Sequence, residues 1–249
     1  MSLGTCLVTG AASGIGAACA RLLAERGAGR LVLVDRDADG LAALELACEV
    51  ECVAGDVSDP ALWERVEATA QSVDRAVINA GIASAGTLED TTLEDWRRTM
   101  SVNLDGAFLS LRTAMRKAGE GASFVVTASA SGLKPQAGAA AYAASKAGLI
   151  QLAKVAALEG ASRGIRVNAI APGGVDTPIW DGVDFFQDFV ANKGGDRDAA
   201  LAEMAQMATP LGRFASADEI AAQILFLLSE DAATITGTVL VSDGGYSAS

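Results

Sequence analysis

The chain has no histidine and only four cysteines among its 249 residues. Cys48 and Cys52 are four residues apart, but neither a histidine nor a second cysteine pair accompanies them, so we predict no metal site. The remaining two, Cys6 and Cys19, lie in apolar segments. All four are expected to be free thiols, which is typical of a reducing cytoplasm.

Basic residues are also scarce, since 19 lysines and arginines against 31 aspartates and glutamates give a net charge of −12. This charge repels nucleic-acid phosphates and anionic membrane surfaces, so neither is an expected partner. No apolar run approaches the length needed to cross a bilayer, and the N-terminus lacks the basic and apolar regions of a secretory signal. We therefore predict a soluble, cytoplasmic, globular protein.

Short apolar runs rich in β-branched residues alternate with longer amphipathic stretches, a pattern typical of repeated βαβ units. We predict an α/β fold, in which residues 1–249 form a single doubly wound (Rossmann) domain. Its seven-stranded parallel sheet is flanked by helices on both faces. The predicted strands cover residues 6–9, 31–34, 51–54, 75–78, 123–128, 166–170 and 239–241. The predicted helices cover residues 14–26, 39–48, 60–72, 93–117, 141–163 and 217–228.

Residues 179–209 break this alternation. Aromatic residues, among them Trp180 and Phe186, mix there with glycines and scattered charges. An insertion of this length more often forms a lid than a structureless loop, so we predict a substrate lid at about 179–209. The alternative is a pair of surface helices that pack their aromatic side chains on the core.

The first predicted strand leads into a glycine-rich turn that opens a helix. Gly10 permits the tight turn, Gly14 lets the backbone approach a pyrophosphate, and Gly16 allows the helix to pack closely on the strand. Ser13 and Ile15 belong to the same loop, and the helix N-terminus favours an anion. Because many such stretches are merely turns, the motif alone leaves both interpretations open.

Asp35 ends the second predicted strand about twenty residues beyond this loop, where a carboxylate can accept hydrogen bonds from ribose hydroxyls. The same charge would repel a 2′-phosphate, and Ser13 offers no positive charge to hold one. NAD is therefore the predicted cofactor in preference to NADP. Arg36 could tolerate the phosphate, although balancing the neighbouring Asp37 and Asp39 is a plainer role for it.

Further polar and small residues follow the third and fourth strands, where open α/β sheets bind their ligands. These candidate cofactor contacts are Asp56, Val57, Asn79, Ala80 and Gly81. For Asp56, capping of the next helix together with Ser58 and Asp59 is an alternative that does not exclude cofactor binding.

Tyr142 and Lys146 open a predicted helix at a spacing that puts both side chains on one face. Ser129 stands thirteen residues before the tyrosine, at the end of the fifth strand. Ser131 competes for the same role but is kept as a candidate pocket residue. Without this context, an interfacial tyrosine and a solvated lysine would be the better explanation of the pair, and the context reverses that preference.

In these residues the chain resembles the short-chain dehydrogenase/reductase family. The matching positions occur in order and span nearly the full length: Thr9-Gly10, Gly14-Ile15-Gly16, Asp56, Asn79-Ala80-Gly81, Asn103, Ser129, Tyr142, Lys146, Pro172-Gly173 and Asp243-Gly244-Gly245. One departure is Ile78, where the family often has a second asparagine.

The resemblance implies that Tyr142 is the general acid/base and that Ser129 hydrogen-bonds the substrate oxygen. Lys146 would stabilise the phenolate and bind ribose hydroxyls, while Asn103 would hold a water that links Lys146 to solvent. A tyrosine of ordinary pKa, about 10, is a poor base at neutral pH. Lowering that pKa by roughly three units takes about 4 kcal/mol, which the ammonium and an oxidised nicotinamide could supply.

The sixth strand is followed by a rigid turn that supplies four further candidate cofactor contacts, Pro172, Gly173, Val175 and Thr177. By resemblance, the Val175 backbone would meet the nicotinamide carboxamide, and Thr177 its amide or the nearby phosphate. The alternative is a turn that only ends the strand.

We thus predict an NAD(H)-dependent oxidoreductase that interconverts a secondary alcohol and a ketone on a small molecule, with Ser131, Gln136 and Trp180 near the substrate. The alternatives are a catalytically silent dinucleotide-binding sensor or scaffold and a reductase of enoyl or imine substrates. Small residues on the predicted helices 93–117 and 141–163 permit close packing, and the resemblance implies a homotetramer (or homodimer). Burial of these faces against the sheet is the alternative.

Overall fold

The computed structural model describes residues 3–248. Met1 and Ser2, which begin the segment where we predict no secretory signal, lie outside the described residues. The strands are β1 Thr5–Thr9, β2 Arg30–Asp35, β3 Glu49–Ala54, β4 Val73–Ile78, β5 Ala118–Thr127, β6 Arg166–Pro172, β7 Val175–Asp176, β8 Ala215–Ser216 and β9 Val239–Ser242. The α-helices are α1 Gly14–Glu25, α2 Ala38–Ala42, α3 Pro60–Thr69, α4 Leu93–Met100, α5 Gly106–Lys117, α6 Ala140–Gly160, α7 Asp184–Asn192, α8 Arg197–Ala208 and α9 Ala217–Leu228.

Seven strands form one parallel sheet in the order β3-β2-β1-β4-β5-β6-β9, which confirms the predicted fold class. Strand β1 pairs with β2 on one side and with β4 on the other, so the chain changes direction along the sheet at β1. In open α/β sheets, ligands bind at the carboxyl ends of the strands beside such a switch point. The glycine-rich turn after β1 lies at this position.

Helices cover both faces of the sheet because successive strand residues point to opposite sides. Val126 packs in the cluster covered by α3, α5 and α6, whereas its neighbour Val125 packs in the cluster covered by α1, α2 and α9. Both side chains are fully buried. Burial on both faces explains why the central strands are continuous apolar runs in the sequence.

Two predicted helices differ from the structure. The predicted helix 93–117 is interrupted by a π-helical turn, Ser101–Asp105, which separates α4 from α5. The predicted helix 39–48 ends at Ala42, and residues 43–48 form an irregular connection to β3, which pairs with β2 along six residues from Glu49 onward. The periodicity of apolar residues indicates which face of a segment is buried, but it does not show at which residue a helix ends.

Residues 179–209 contain two helices, α7 and α8, so the alternative of a helix pair describes their structure. Phe186 and Leu201 are buried between them, and Trp180 and Ala83 pack against this cluster. A short parallel pair, β7 with β8, flanks the segment and was not predicted. Its role as a lid stays a prediction.

Two further properties concern only the part of the chain that the structure describes. No helix within residues 3–248 combines the length and the apolar character needed to span a membrane. Over the same residues, no cluster of three or more potential metal ligands occurs.

Candidate active site

Three glycines shape the loop between β1 and α1. Gly10 and Gly14 have φ angles of 65° and 52°, in the left-handed region that favours glycine. A Cβ on Gly16 would lie only 1.9 Å from the carbonyl oxygen of Gly10, so the helix can start this close to the strand only with glycine. Ser13 makes no side-chain cap hydrogen bond to α1, which leaves first-turn N–H groups free of that cap. Such a helix terminus suits an anion such as a pyrophosphate.

Asp35 lies beside this loop at the end of β2. One carboxylate oxygen accepts a hydrogen bond from the Ala12 N–H at 3.0 Å, and the other accepts one from the Asp37 N–H at 3.0 Å. A carboxylate can accept about four hydrogen bonds, so these contacts orient it and leave acceptor capacity for a ribose diol. Arg36 is exposed at the same edge.

Asp56 follows β3 and organises the chain before α3. Its Oδ1 accepts hydrogen bonds from the Ser58 N–H at 2.8 Å and from the Ser58 hydroxyl at 2.7 Å. Asp59 caps α3 by accepting from the Ala61 N–H at 2.9 Å. Asp59 is therefore the residue that caps α3, while Asp56 orders the turn before the helix through Ser58, so the capping alternative holds for the three residues together. Val57 is buried next to it.

Asn79 supports the glycine-rich loop from the adjacent strand. Its Nδ2 donates to the carbonyl oxygens of Thr9 at 3.3 Å and Gly10 at 3.4 Å. The backbone N–H groups of Asn79 and Ala80 both donate to the Thr9 hydroxyl, at 2.9 and 3.0 Å. The Asn79 side chain thus connects the end of β4 to the loop after β1 and fixes the backbone of that loop through its carbonyl oxygens.

Ser129, Tyr142 and Lys146 come together at the carboxyl end of β5. Ser129 is buried, and its hydroxyl accepts from the Ser131 N–H at 3.2 Å and is hydrogen-bonded to the Tyr142 phenol. The Lys146 ammonium lies 5.7 Å from the centre of the Tyr142 ring and donates to the Thr127 carbonyl oxygen at 2.9 Å. Lys146 is only 4% exposed, so the solvated-lysine alternative is wrong.

Desolvation dominates the ionisation of these groups. Burial raises the pKa of the Tyr142 phenol above its usual value, and the hydrogen bond with Ser129 lowers it in part. Burial also lowers the pKa of Lys146 to about 8, because the charged ammonium loses water. Burial outweighs the hydrogen bond with Ser129, so the expected lowering of the tyrosine pKa needs positive charge in addition to these two effects.

Asn103 lies in the π-helical turn and is fully buried. Its Oδ1 accepts from the Ile82 N–H at 2.8 Å, while its Nδ2 donates to the Ile82 carbonyl at 3.0 Å and to the Ser145 hydroxyl at 3.2 Å. Both hydrogens of the Asn103 side-chain amide are donated in hydrogen bonds, so this side chain connects the loop after β4 to α6. A Cβ on Gly81 would lie 3.4 Å from the Lys146 ammonium, so this loop passes close to the lysine.

The turn after β6 lies close to the glycine-rich loop after β1, and the predicted cofactor cleft runs between these two segments. A Cβ on Gly173 would lie 2.8 Å from the Cα of Asp243, so glycine permits the turn to pack on the segment after β9. The Thr177 methyl group lies 3.2 Å from the Cβ position of Gly14. Pro172 ends β6, Val175 begins β7, and Thr177 follows it beside the glycine-rich loop, while the contact of these residues and of Gly173 with a cofactor stays a prediction.

Comparisons with known proteins match nearly the whole chain. A family model described as enoyl-(acyl carrier protein) reductase matches residues 10–247. The cis-4-hydroxycyclohexanecarboxylate dehydrogenase of Sinomonas cyclohexanicum is 40% identical over 97% of this chain and 96% of that protein. The D-threitol dehydrogenase of Mycolicibacterium smegmatis is 39% identical over 96% of this chain and 91% of its own length. The chain belongs to the short-chain dehydrogenase/reductase family.

A solved structure of the same short-chain dehydrogenase/reductase family extends the match to three dimensions. The crystal structure of levodione reductase superposes with a TM-score of 0.88 at 36% identity, covering 100% of this chain and 99% of that one. The chain is accordingly an oxidoreductase of a family that typically binds a nicotinamide dinucleotide.

Trp180, one of three predicted substrate residues of this short-chain dehydrogenase/reductase, is fixed to the turn after β6. Its indole N–H donates to the Val175 carbonyl at 2.8 Å. Its ring stacks on Phe214, with centroids 5.7 Å apart and an interplanar angle of 5°. The tryptophan is therefore held in place by residues from two different segments.

The two remaining predicted substrate residues are placed differently. Ser131 donates its backbone N–H to the Ser129 hydroxyl and so lies beside the catalytic candidates. Gln136 is exposed, and its side-chain oxygen accepts from the Tyr246 hydroxyl at 3.4 Å. The structure brings Ser131 to the site and places Gln136 against the C-terminal turn.

Three contributors to the site were missed by sequence reasoning. Thr127 holds Lys146 through a backbone carbonyl, which no residue type reveals. Phe214 and Arg197 reach the turn after β6 from distant parts of the chain. A sequence signal could have suggested only Arg197, because a cation in the first turn of a helix is unfavourable unless something else pairs with it.

Lys146→Met is expected to reduce the pH dependence of the free energy of unfolding between about pH 8 and pH 10.5. Burial lowers the pKa of Lys146 from 10.5 to about 8, so between these pH values the unfolded chain holds more protons than the folded chain at this residue. The contribution of Lys146 to the free energy of unfolding therefore rises with pH across this window, by at most about 3 kcal/mol.

Denaturant unfolding of both proteins at about pH 7 and about pH 10 measures this effect. The free energy of unfolding of the wild-type protein, minus that of Lys146→Met, should increase as the pH rises. A difference between the two proteins that is the same at both pH values would contradict the shift.

Proposed function

We propose that this chain is an NAD(H)-dependent oxidoreductase that interconverts a secondary alcohol and a ketone on a small molecule, with Tyr142 as general acid/base. The observation that carries the proposal is the Ser129–Tyr142–Lys146 cluster, in which the ammonium lies 5.7 Å from the tyrosine ring beside the glycine-rich loop. Relatives named as dehydrogenases of a hydroxycyclohexane carboxylate and of D-threitol support a small alcohol as substrate.

The residues that face the cleft suit a nicotinamide dinucleotide. The first turn of α1 would hold the pyrophosphate, Asp35 the adenosine ribose, and Lys146 the nicotinamide ribose. When bound, the nicotinamide accepts or supplies the hydride at the substrate carbon. The other residues that we assign to this site are Gly10, Ser13, Gly14, Ile15, Gly16, Arg36, Asp56, Val57, Asn79, Ala80, Gly81, Tyr142, Pro172, Gly173, Val175 and Thr177.

Ser129 and Tyr142 would bind the substrate oxygen together. In oxidation, Tyr142 removes the hydroxyl proton, and in reduction it returns a proton to the carbonyl oxygen. Because burial raises the pKa of the phenol, Tyr142 needs positive charge nearby before it can act as a base. Lys146 supplies such a charge when it is protonated, and its pKa of about 8 keeps a substantial protonated fraction near neutral pH.

Two other functions remain as alternatives. The description of the matched family model names an enoyl reductase, whose substrate is a carbon–carbon double bond. An enoyl substrate also carries a carbonyl oxygen, but its reduction adds hydrogen to carbon. A serine and a tyrosine hydroxyl paired on one oxygen atom favour a ketone or alcohol instead, because there the proton is exchanged at that oxygen. A catalytically silent dinucleotide sensor or scaffold would need Lys146 for the nicotinamide ribose, but it would not need the hydroxyl pair of Ser129 and Tyr142.

A substrate screen that monitors NADH formation tests the proposal. Cyclic secondary alcohols, sugar alcohols and hydroxy acids are offered with NAD, and the matching ketones with NADH. We expect turnover in at least one class. NADH binding with no turnover across the panel would support the silent module, and turnover of enoyl substrates alone would support the enoyl reductase.

We expect kcat/KM with NAD to exceed that with NADP by about a hundredfold, because a 2′-phosphate about 4 Å from the Asp35 carboxylate is repelled by roughly 1–4 kcal/mol. Asp35→Ser should reduce this ratio by about tenfold or more. The control is Asp37→Ser, which removes an adjacent carboxylate that caps α2 through the Gly40 N–H at 2.9 Å. A wild-type protein that prefers NADP would overturn the cofactor assignment.

We further propose that residues 1–249 act as one domain with a substrate lid at about 179–209, in the cytoplasm, as a homotetramer (or homodimer). Exposed apolar side chains on α5 and α6, including Phe108 and Leu158, support association. The free, exposed thiol of Cys52 is consistent with a reducing compartment. Light scattering that reports a monomer would remove the assembly proposal.

A further inference from the structure

Arg197 makes three hydrogen bonds to the short segment Asp176–Asp181. Its Nη1 donates to Asp176 Oδ1 at 2.8 Å and its Nε to Asp181 Oδ1 at 2.9 Å. Its Nη2 donates to the backbone carbonyl of Thr177 at 3.0 Å. One planar guanidinium therefore contacts the two end residues of the segment, Asp176 and Asp181, and also the backbone of Thr177.

The helix that carries Arg197 does not require it. Arg197 is the first residue of α8, where the helix dipole disfavours a positive charge. Asp196 already caps this helix by accepting from the Ala199 N–H at 3.0 Å. The guanidinium also lies 5.9 Å from the centre of the Phe186 ring on α7. Arg197 thus joins α7, α8 and the segment Asp176–Asp181, which is a tertiary role.

The segment that Arg197 holds faces the glycine-rich loop. The Thr177 methyl group lies 3.2 Å from the Cβ position of Gly14, so a small shift of the threonine would change the width of the cleft at this point. Asp176 and Asp181 have side-chain exposures of 55% and 52%, and each ion pair alone contributes little to folding stability. Three simultaneous contacts to one rigid group nevertheless restrict how the segment can move.

We propose that Arg197 is a positioning residue for the dinucleotide: by holding Asp176, Asp181 and the Thr177 carbonyl, it keeps Thr177 against the glycine-rich loop. This inference rests on the proposed function, which places the dinucleotide between these two segments. Dinucleotide affinity should then depend on Arg197, and the chemistry at Tyr142 should not.

The test is the Kd of NADH, measured by the fluorescence of the bound nucleotide. We expect Arg197→Ala to weaken binding by about tenfold, the effect of losing several partly exposed charged contacts. Arg197→Lys should fall between wild type and alanine, since an ammonium lacks the planar fork that spans all three acceptors. The KM for NAD should rise by about the same factor as the Kd, with kcat within about threefold of wild type.

Arg30→Ala is the matched control, because Arg30 also bridges two carboxylates, Glu49 at 3.1 Å and Glu51 at 3.3 Å, at the amino end of β2, opposite the strand end that leads to the site. Its NADH affinity should stay within about twofold of wild type. Thermal unfolding of each variant shows whether it is folded. If Arg197→Ala does not fold, the test uses Asp176→Asn and Asp181→Asn instead. Each should weaken NADH binding by about two- to fivefold, because each removes only one of the Arg197 contacts.

Three outcomes bear on the inference separately from the proposed function. An Arg197→Ala protein that binds NADH as tightly as wild type overturns it, and so does an equal loss in Arg30→Ala. A loss of kcat with unchanged Kd assigns Arg197 to the chemical step and also overturns it. If the wild-type protein binds no NADH, the proposed function itself fails.

Discussion

Tyr142→Phe is expected to lower kcat for alcohol oxidation by about a thousandfold or more, while the Kd of NADH stays within about threefold of wild type. The substitution removes one oxygen atom and leaves the ring in place, 5.7 Å from the Lys146 ammonium. Ser129 then has no phenol partner, and its own aliphatic hydroxyl is a much weaker acid than a phenol, so proton exchange with the substrate oxygen is slowed. Stopped-flow turnover with saturating NAD and a direct NADH titration measure the two quantities.

The other tyrosine of the chain offers a matched control. Tyr246 donates its hydroxyl to Gln136 at 3.4 Å, away from Lys146, so Tyr246→Phe makes the same chemical change elsewhere. Its kcat should remain within about threefold of wild type. Substantial turnover by Tyr142→Phe, together with normal NADH binding, would show that Tyr142 is not the general acid/base.

Gly16→Ala is expected to weaken NADH binding by about a hundredfold and to destabilise the fold by about 2–4 kcal/mol. Alanine in a helix is favoured over glycine by roughly 1 kcal/mol, so helix propensity alone predicts a gain. The added Cβ, however, would lie 1.9 Å from the Gly10 carbonyl oxygen, which is part of the backbone and cannot rotate away. The loop and α1 must separate, and the N–H groups proposed to bind the pyrophosphate move with them.

Gly119→Ala is the control for this substitution. Gly119 lies in β5, has no positive φ, and a Cβ there would have nothing within 4 Å. We expect its NADH affinity and its free energy of unfolding to stay within experimental error of wild type. If Gly16→Ala binds NADH as wild type does, the pyrophosphate does not rest on the first turn of α1.

Much of the fold could be predicted because its signals are local. The seven strands were recognised from apolar runs, and the sheet that they form is parallel as predicted. The end of α2 and the π-helical turn Ser101–Asp105 could not be predicted, because neither depends on the residues of the segment alone. Helix α2 ends at Ala42 so that residues 43–48 can lead into β3, which pairs with β2, and the π-helical turn carries Asn103 to the backbone of Ile82.

Assignments within the site divide in the same way. The sequence could not show which of the neighbouring polar residues caps α3: Asp59 does so, and Asp56 orders the turn before the helix through Ser58. Periodicity brings Tyr142 and Lys146 to one helix face, whereas their ionisation depends on every group packed around them. Burial raises the pKa of the phenol and lowers that of the ammonium, and no sequence spacing reports such desolvation.

The sequence by itself determined the fold class, the family, and the residues able to carry out the chemistry, because these follow from periodicity and from short motifs. Only the tertiary structure decided which groups meet across the sheet. Lys146 reaches the Thr127 carbonyl, and Arg197 reaches Thr177, through segments that lie apart in the chain. Such contacts are set by the packing of whole elements, since hydrogen bonds and desolvation act over a few ångströms in space, whatever the separation along the chain.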